Sequence, residues 1–282
     1  MAGDLMRGKR GLIMGVANSH SIAWGIAQAV AAQGAELAFT YQGEALGRRV
    51  KPLAEELGSK IVAPCDVEDI ASVDAVFDEV RKVWGSLDFL VHAIGFSDKN
   101  ELRGRYIDNT TRENFSRTMV ISCYAFTEAA QRAAPLMTNG GSMLTLTFNG
   151  SNRVMPNYNV MGLAKAALEA SVRYLAADLG PKGIRVNSIS AGPIRTLAGA
   201  GITDARQMLN FQAAHAPLRR ALDITDVGGA GLYLLSDLSK GVTGETHFVD
   251  GGYNIIAMPR PEDLQGGACP GAVAFGTPAR PD

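Results

Sequence analysis

The chain has 282 residues, 46% hydrophobic and 20% charged, with a formal net charge of −1. That length supports one sizeable core, and the near-neutral charge excludes the basic footprint of a nucleic-acid or anionic-membrane binder. The three cysteines, Cys65, Cys123 and Cys269, have no paired ligand spacing, which argues against a structural metal and fits a reducing compartment.

A basic stretch at residues 6–10 is followed by an apolar run at 11–17, too short for a secretory signal. No segment has the ~20 uninterrupted apolar residues of a membrane span, so a cytoplasmic protein is expected. The first strand is predicted at 11–15. A helix follows at 21–33, with Ile22, Ile26, Ala29 and Val30 on one face and Gly34 closing it. Further strands are expected at 35–41, 61–63, 87–93, 142–147, 185–190 and 246–250, with amphipathic stretches such as 73–83 and 164–179 between them. Short apolar strands alternating with helices imply parallel pairing, because parallel strands need crossovers. The expected fold is α/β: a single Rossmann-type, doubly wound domain over 1–258 with a seven-stranded parallel sheet. Past Met258 prolines and glycines crowd the chain, and residues 259–282 read as a flexible tail with too little apolar surface to offset its ordering entropy.

Ligands of doubly wound sheets bind at the carboxyl ends of strands. The first strand ends at Gly15, where a glycine lets the backbone turn under a pyrophosphate, and Ser21 is placed to cap the following helix and to donate to a phosphate. The regular glycine-rich fingerprint is missing, so this segment alone is equally a plain turn before a helix. Asp66, after the third strand, offers a carboxylate to an adenine amino group or to a helix N-terminus. Gln42 stands where a ribose-binding acid is usual, and Arg48 and Arg49 follow it, so this rule does not separate NAD from NADP.

Tyr158 and Lys165 lie seven residues apart on what reads as one helix opened by Pro156. Seven residues is almost two turns, so the side chains share a face. A lysine beside a tyrosine favours the phenolate and orients nearby hydroxyls, although spacing alone is also met by an exposed pair on a helix surface.

The segments 15–27, 36–42, 65–67, 92–96, 157–165 and 187–197 together resemble the short-chain dehydrogenase/reductase superfamily, and within it the divergent enoyl-[acyl-carrier-protein] reductase branch. The most specific pieces are the run from Pro156 to Lys165 and the run from Ser190 to Leu197. The resemblance covers residues 5–258. It implies that Gly15, Ser21, Ile22, Gln42, Asp66, Val67, Ile94, Lys165, Ile194, Arg195, Thr196, Leu197 and Ala198 contact the cofactor, and it favours NADH. It makes Tyr158 and Lys165 the catalytic pair, with Ser97, Phe148 and Tyr158 facing substrate. Ordinary alcohol and ketone enzymes of the superfamily carry the lysine four residues after the tyrosine; Gly162 occupies that place here. Many enoyl reductases have a second tyrosine at the position of Phe148, so a proton relay there is lost.

The implied activity is reduction of the 2,3 double bond of a trans-2-enoyl thioester on acyl carrier protein, in bacterial fatty-acid synthesis by a homotetramer. No metal is implied. Residues 197–217, with a helical stretch at 204–212, read as a substrate lid whose Ile202, Met208, Leu209 and Phe211 line an acyl channel or pack as ordinary core. Arg206 offers a modest basic rim for an acidic carrier protein, joined by Arg219 and Arg220 unless these simply form a solvated turn. Two other readings stay open: a dehydrogenase acting on a ketone or alcohol, and an NAD-binding homologue without catalysis.

Overall fold

The computed structural model describes residues 3–197 and 205–258, so Cys269, Ala198, Ile202 and the tail lie outside the described residues. Seven strands form one sheet: β1 Arg10–Met14, β2 Glu36–Tyr41, β3 Ile61–Pro64, β4 Phe89–His92, β5 Gly141–Thr147, β6 Ile184–Ala191 and β7 Thr246–Val249. Their order is β3-β2-β1-β4-β5-β6-β7, and every pairing is parallel. The chain therefore runs outward from β1 to β3, then returns to pair β4 on the other side of β1. That reversal opens a crevice at the carboxyl ends of β1 and β4, the place where doubly wound sheets take ligands.

The expected strands are all present, with ends displaced by a residue or two. The helices differ more. α1 spans Ile22–Ala31, α2 Gly43–Glu56 and α3 Ile70–Trp84. The last begins before the expected residue 73 because Asp69 caps it, its carboxylate accepting from the N–H of Ala71 at 3.1 Å. After the short α4, Tyr106–Asn109, comes α5, Arg112–Met119; a π-helical turn at Val120–Tyr124 then joins it to α6, Ala125–Ala133. α7 covers Asn159–Leu179, α8 Ala205–His215 and α9 Ile224–Leu235. The apolar periodicity does not mark α9, although Asp223 and Asp226 form a reciprocal capping box at its start.

Helices cover both faces of the sheet, giving two cores. One gathers Leu12, Leu90 and Met143 with Phe77, Phe126 and Leu168; the other gathers Ile13, Phe39 and Val91 with Trp24, Val30 and Leu234. Alternate residues of β1 and β4 thus face opposite layers, as the two-residue strand period requires. A third, smaller cluster of Leu102, Tyr158, Val160, Met161 and Ala164 sits beyond the carboxyl edge, with Phe148 packed against it. No helix among the described residues is long and apolar enough to cross a membrane.

Candidate active site

Gly15 ends β1 at φ 102°, and a Cβ there would stand 2.3 Å from the carbonyl oxygen of Ala93. Only glycine fits both the left-handed backbone and this close approach to the end of β4. The chain then turns into α1. Ser21 occupies the N-cap position, but its hydroxyl does not cap the helix; it accepts from the N–H groups of Ala17 at 2.9 Å and Asn18 at 3.2 Å. The expected cap is thus corrected: Ser21 braces the preceding loop, and the first turn of α1, opened by Ile22, has no side-chain partner. Its N–H groups and the hydroxyl hydrogen of Ser21 are the donors an anion would use.

Gln42 follows β2 and donates from Nε2 to Asp66 Oδ2 at 3.1 Å. Asp66 does not cap α3; its other oxygen accepts from the N–H of Glu68 at 3.0 Å, and Val67 beside it is buried. Arg117 of α5 donates to both carboxylate oxygens of Glu68, at 2.9 and 2.8 Å, with its guanidinium 4.6 Å from the Phe96 ring centre. The loops after β3 and β4 are thereby linked across the crevice. Arg48 and Arg49 are exposed on α2.

Past β4 lie Ile94 and Ser97. The Ser97 hydroxyl accepts from Asn114 at 3.1 Å and Thr118 at 3.0 Å, which ties the loop to α5. Ser122, in the π-helical turn, holds both main-chain groups of Phe96, accepting from its N–H at 2.9 Å and donating to its oxygen at 3.0 Å. A π-turn shifts side chains out of helical register, and that is what aims Ser122 at this loop. Ile194, Arg195, Thr196 and Leu197 follow β6 at the same carboxyl edge.

Tyr158 is the N-cap residue of α7 and not an interior helical position. Asn157, at φ 57°, interrupts the right-handed backbone, so the helix opens at Asn159 and Pro156 stays outside it. Both Tyr158 and Lys165 are buried. The Tyr158 ring meets the Phe148 ring edge-on, their centres 5.0 Å apart. Burial first, and then the carboxylate of Glu169, pushes the Tyr158 pKa above the ordinary phenol value. This corrects the expectation that Lys165 favours a phenolate. Burial dominates, and the group is a protonated donor at neutral pH.

Lys165 donates to the carbonyl oxygen of Leu146 at 2.7 Å, and burial lowers its pKa to about 8 against smaller opposing effects of Cys123 and Glu169. An ammonium carries three donors. Nζ lies next to the loop after β4, where an added Cβ on Gly95 would stand 3.7 Å from it. Beneath it His92 is 1% exposed, with both ring nitrogens unpartnered and its pKa held down at about 3 by burial and then by Lys165. Strand periodicity marks His92 as a buried strand position and gives no sign that it feels the charge of Lys165.

Gly162 sits against the 149–151 turn: a Cβ there would approach the carbonyl oxygen of Gly150 to 2.8 Å. A lysine four residues after Tyr158 has no room. A cavity of about 450 Å³ opens beside Phe148, walled by Met155, Pro193, Met208 and Phe211 among others. Two of the four apolar residues expected on the lid, Met208 and Phe211, do line it, and the lid helix runs to His215, past the expected residue 212. Arg220 is not a free basic group; it forms a two-pronged ion pair with Asp226, both contacts 2.7 Å, at the start of α9.

The family model described as enoyl-(acyl carrier protein) reductase matches residues 15–254. The chain is 74% identical to enoyl-[acyl-carrier-protein] reductase [NADH] 2 of Rhizobium meliloti, over 93% of this chain and 97% of that one. Identity to the enzyme named [NADH] 1 in the same organism is 62%, over 91% and 94%. The crystal structure of the Anaplasma phagocytophilum enoyl-(acyl-carrier-protein) reductase in complex with NAD is similar at a TM-score of 0.88 and 60% identity, covering 92% of this chain and 98% of that one.

Proposed function

Since the chain belongs to the enoyl-(acyl carrier protein) reductase family, we propose that it reduces the 2,3 double bond of trans-2-enoyl thioesters on acyl carrier protein, with NADH, in bacterial fatty-acid synthesis. The observation that carries the reading is the buried phenol of Tyr158, kept protonated at the carboxyl edge of the sheet, on the same helix start as a buried lysine whose ammonium has unused donors. Those donors, and the uncapped start of α1, fit a dinucleotide.

Gly15, Ser21 and Ile22 would hold the pyrophosphate, Gln42, Asp66 and Val67 the adenosine end, and Ile94 with Ile194, Arg195, Thr196, Leu197 and Ala198 the nicotinamide end. When bound, NADH would supply a hydride to the β-carbon of the enoyl thioester, and the resulting enolate would take a proton from solvent at its α-carbon to complete the reduction. The Tyr158 hydroxyl donates to the thioester carbonyl oxygen as negative charge collects there, a contact stronger in the transition state than in the ground state. Lys165 holds the nicotinamide ribose hydroxyls and so fixes the reacting distance. Phe148, lacking a donor, only packs against the Tyr158 ring and limits its motion. The lack of room at Gly162 argues against a ketone or alcohol dehydrogenase of the ordinary type.

Residues 1–258 are the catalytic unit in this reading, with residues 197–217 covering the substrate and 259–282 dispensable for folding. The protein works in the cytoplasm as a homotetramer. Support for assembly comes from exposed Tyr233, Phe248 and Ile255, which line one hollow along the open edge strand β7. NADH oxidation followed by absorbance, with crotonyl and longer enoyl thioesters, tests the activity. Thioester-dependent oxidation is expected. Cofactor binding without turnover, or turnover of ketones alone, would overturn the reading.

A further inference from the structure

Asn114, Arg117 and Thr118 share one face of α5, at i, i+3 and i+4. Two of them grip the loop after β4. The N–H of Asp98 donates to Asn114 Oδ1 at 3.0 Å, and the Asn114 and Thr118 side chains both donate to Ser97. Ser122, from the π-helical turn, holds the main chain of Phe96. These contacts fix the backbone of the loop but not the Phe96 ring, which is 41% exposed and so has solvent over much of its surface.

Arg117 acts on that ring. Its guanidinium lies 4.6 Å from the ring centre, within cation–π range. A long arginine side chain has many rotamers, and ordering it costs entropy. Here the opposite loop offsets that cost: Glu68, after β3, accepts from two N–H groups of the fork at 2.9 and 2.8 Å, while its own N–H donates to Asp66. Glu68 thus aims Arg117, and Arg117 covers Phe96. The ring borders the reaction site, because Gly95, its neighbour in the chain, stands against Lys165 Nζ. We propose that Arg117 is a positioning residue: braced by Glu68, it holds the Phe96 ring as a wall on the substrate side of the crevice. The inference rests on the enoyl-thioester reading above. A carboxylate on the β3 loop then governs the hold on a thioester bound beside β4.

The test measures kcat and KM for crotonyl N-acetylcysteamine, an uncharged thioester, at saturating NADH. Arg117→Leu should raise KM about fivefold and leave kcat within about twofold, the scale of one exposed charge pair with its ring contact. Glu68→Gln should raise KM by about twofold or more, and the double variant should be no worse than Arg117→Leu alone, since residues acting as one unit do not add. In a Phe96→Leu background, Arg117→Leu should change KM by less than about 1.5-fold, because the ring through which it acts is gone. Melting temperature and NADH affinity report whether each variant folds; a merely structural brace would move the melting temperature and leave KM alone. An unchanged KM in folded Arg117→Leu, multiplied effects in the double variant, or the full loss persisting in the Phe96→Leu background would overturn the proposal while leaving the reductase reading intact. Failure of the wild type to reduce the thioester would overturn both.

Discussion

At the β2–β3 end of the crevice, Gln42 and Asp66 meet in an exposed hydrogen bond, and the neighbouring Arg117–Glu68 pair is also at the surface. At the β4–β5 end, Tyr158, Lys165 and His92 are buried, and burial is the largest cause of the displaced pKa in each. One rim uses solvent-screened contacts worth little individually. The other uses desolvation to set protonation: a phenol kept protonated, a lysine brought near neutrality and an imidazole kept uncharged. In the proposed function, recognition of the cofactor's far end is therefore spread over several weak contacts, whereas the chemistry depends on very few atoms.

That contrast orders the expected effects of substitution. Tyr158→Phe removes the donor to the developing oxyanion and should lower kcat by about 10²–10³, as loss of such a donor typically does; a variant keeping most of its activity on an enoyl thioester would break the comparison at its strong end. Lys165→Met should weaken NADH binding as well as turnover, because the role proposed for the ammonium is to hold the ribose hydroxyls. The pH dependence sharpens this. With a folded pKa near 8 and an ordinary value of 10.5, the unfolded chain binds more protons between those limits. Stability of the cofactor-free wild type should then rise from pH 8 toward 10 relative to Lys165→Met, while NADH affinity falls over the same range. Denaturant midpoints and NADH titrations at matched pH read the two opposite slopes.

Phe148→Tyr adds a hydroxyl next to the Tyr158 ring without removing any contact, so activity should change by less than about tenfold, roughly 1.4 kcal/mol. Altered preference among acyl chain lengths is the readout to follow. The smallest effect is expected at the exposed rim. Gln42→Leu deletes one screened hydrogen bond and should raise KM for NADH about fivefold or less, on the scale of one net hydrogen bond. A loss comparable to that of Tyr158→Phe would show that the two ends do not differ as described.

The sheet is readable from sequence because short apolar strands alternate with amphipathic stretches, the pattern that parallel pairing requires. Tyr158 and Lys165 were found from their spacing and surrounding motif, but their protonation was not, since desolvation depends on packing that no spacing encodes. The π-helical turn carrying Ser122 left no signal in the periodicity, because it arises from one extra residue within a continuous helical run. Asp223 and Asp226 do signal α9 through capping chemistry, but the periodicity does not mark that helix because its apolar residues lie among glycines. Glu68, Phe96 and Arg117 look unrelated in the chain; only folding brings them together across the crevice.

The central claim is that burial holds Tyr158 as a protonated donor. Its most direct test is the phenolate absorbance of the folded, cofactor-free protein at pH 10, measured as the difference between wild type and Tyr158→Phe. An ordinary tyrosine is about half ionised there. The account predicts no difference, because the Tyr158 pKa lies well above that pH; a difference equal to half a phenolate or more would contradict it.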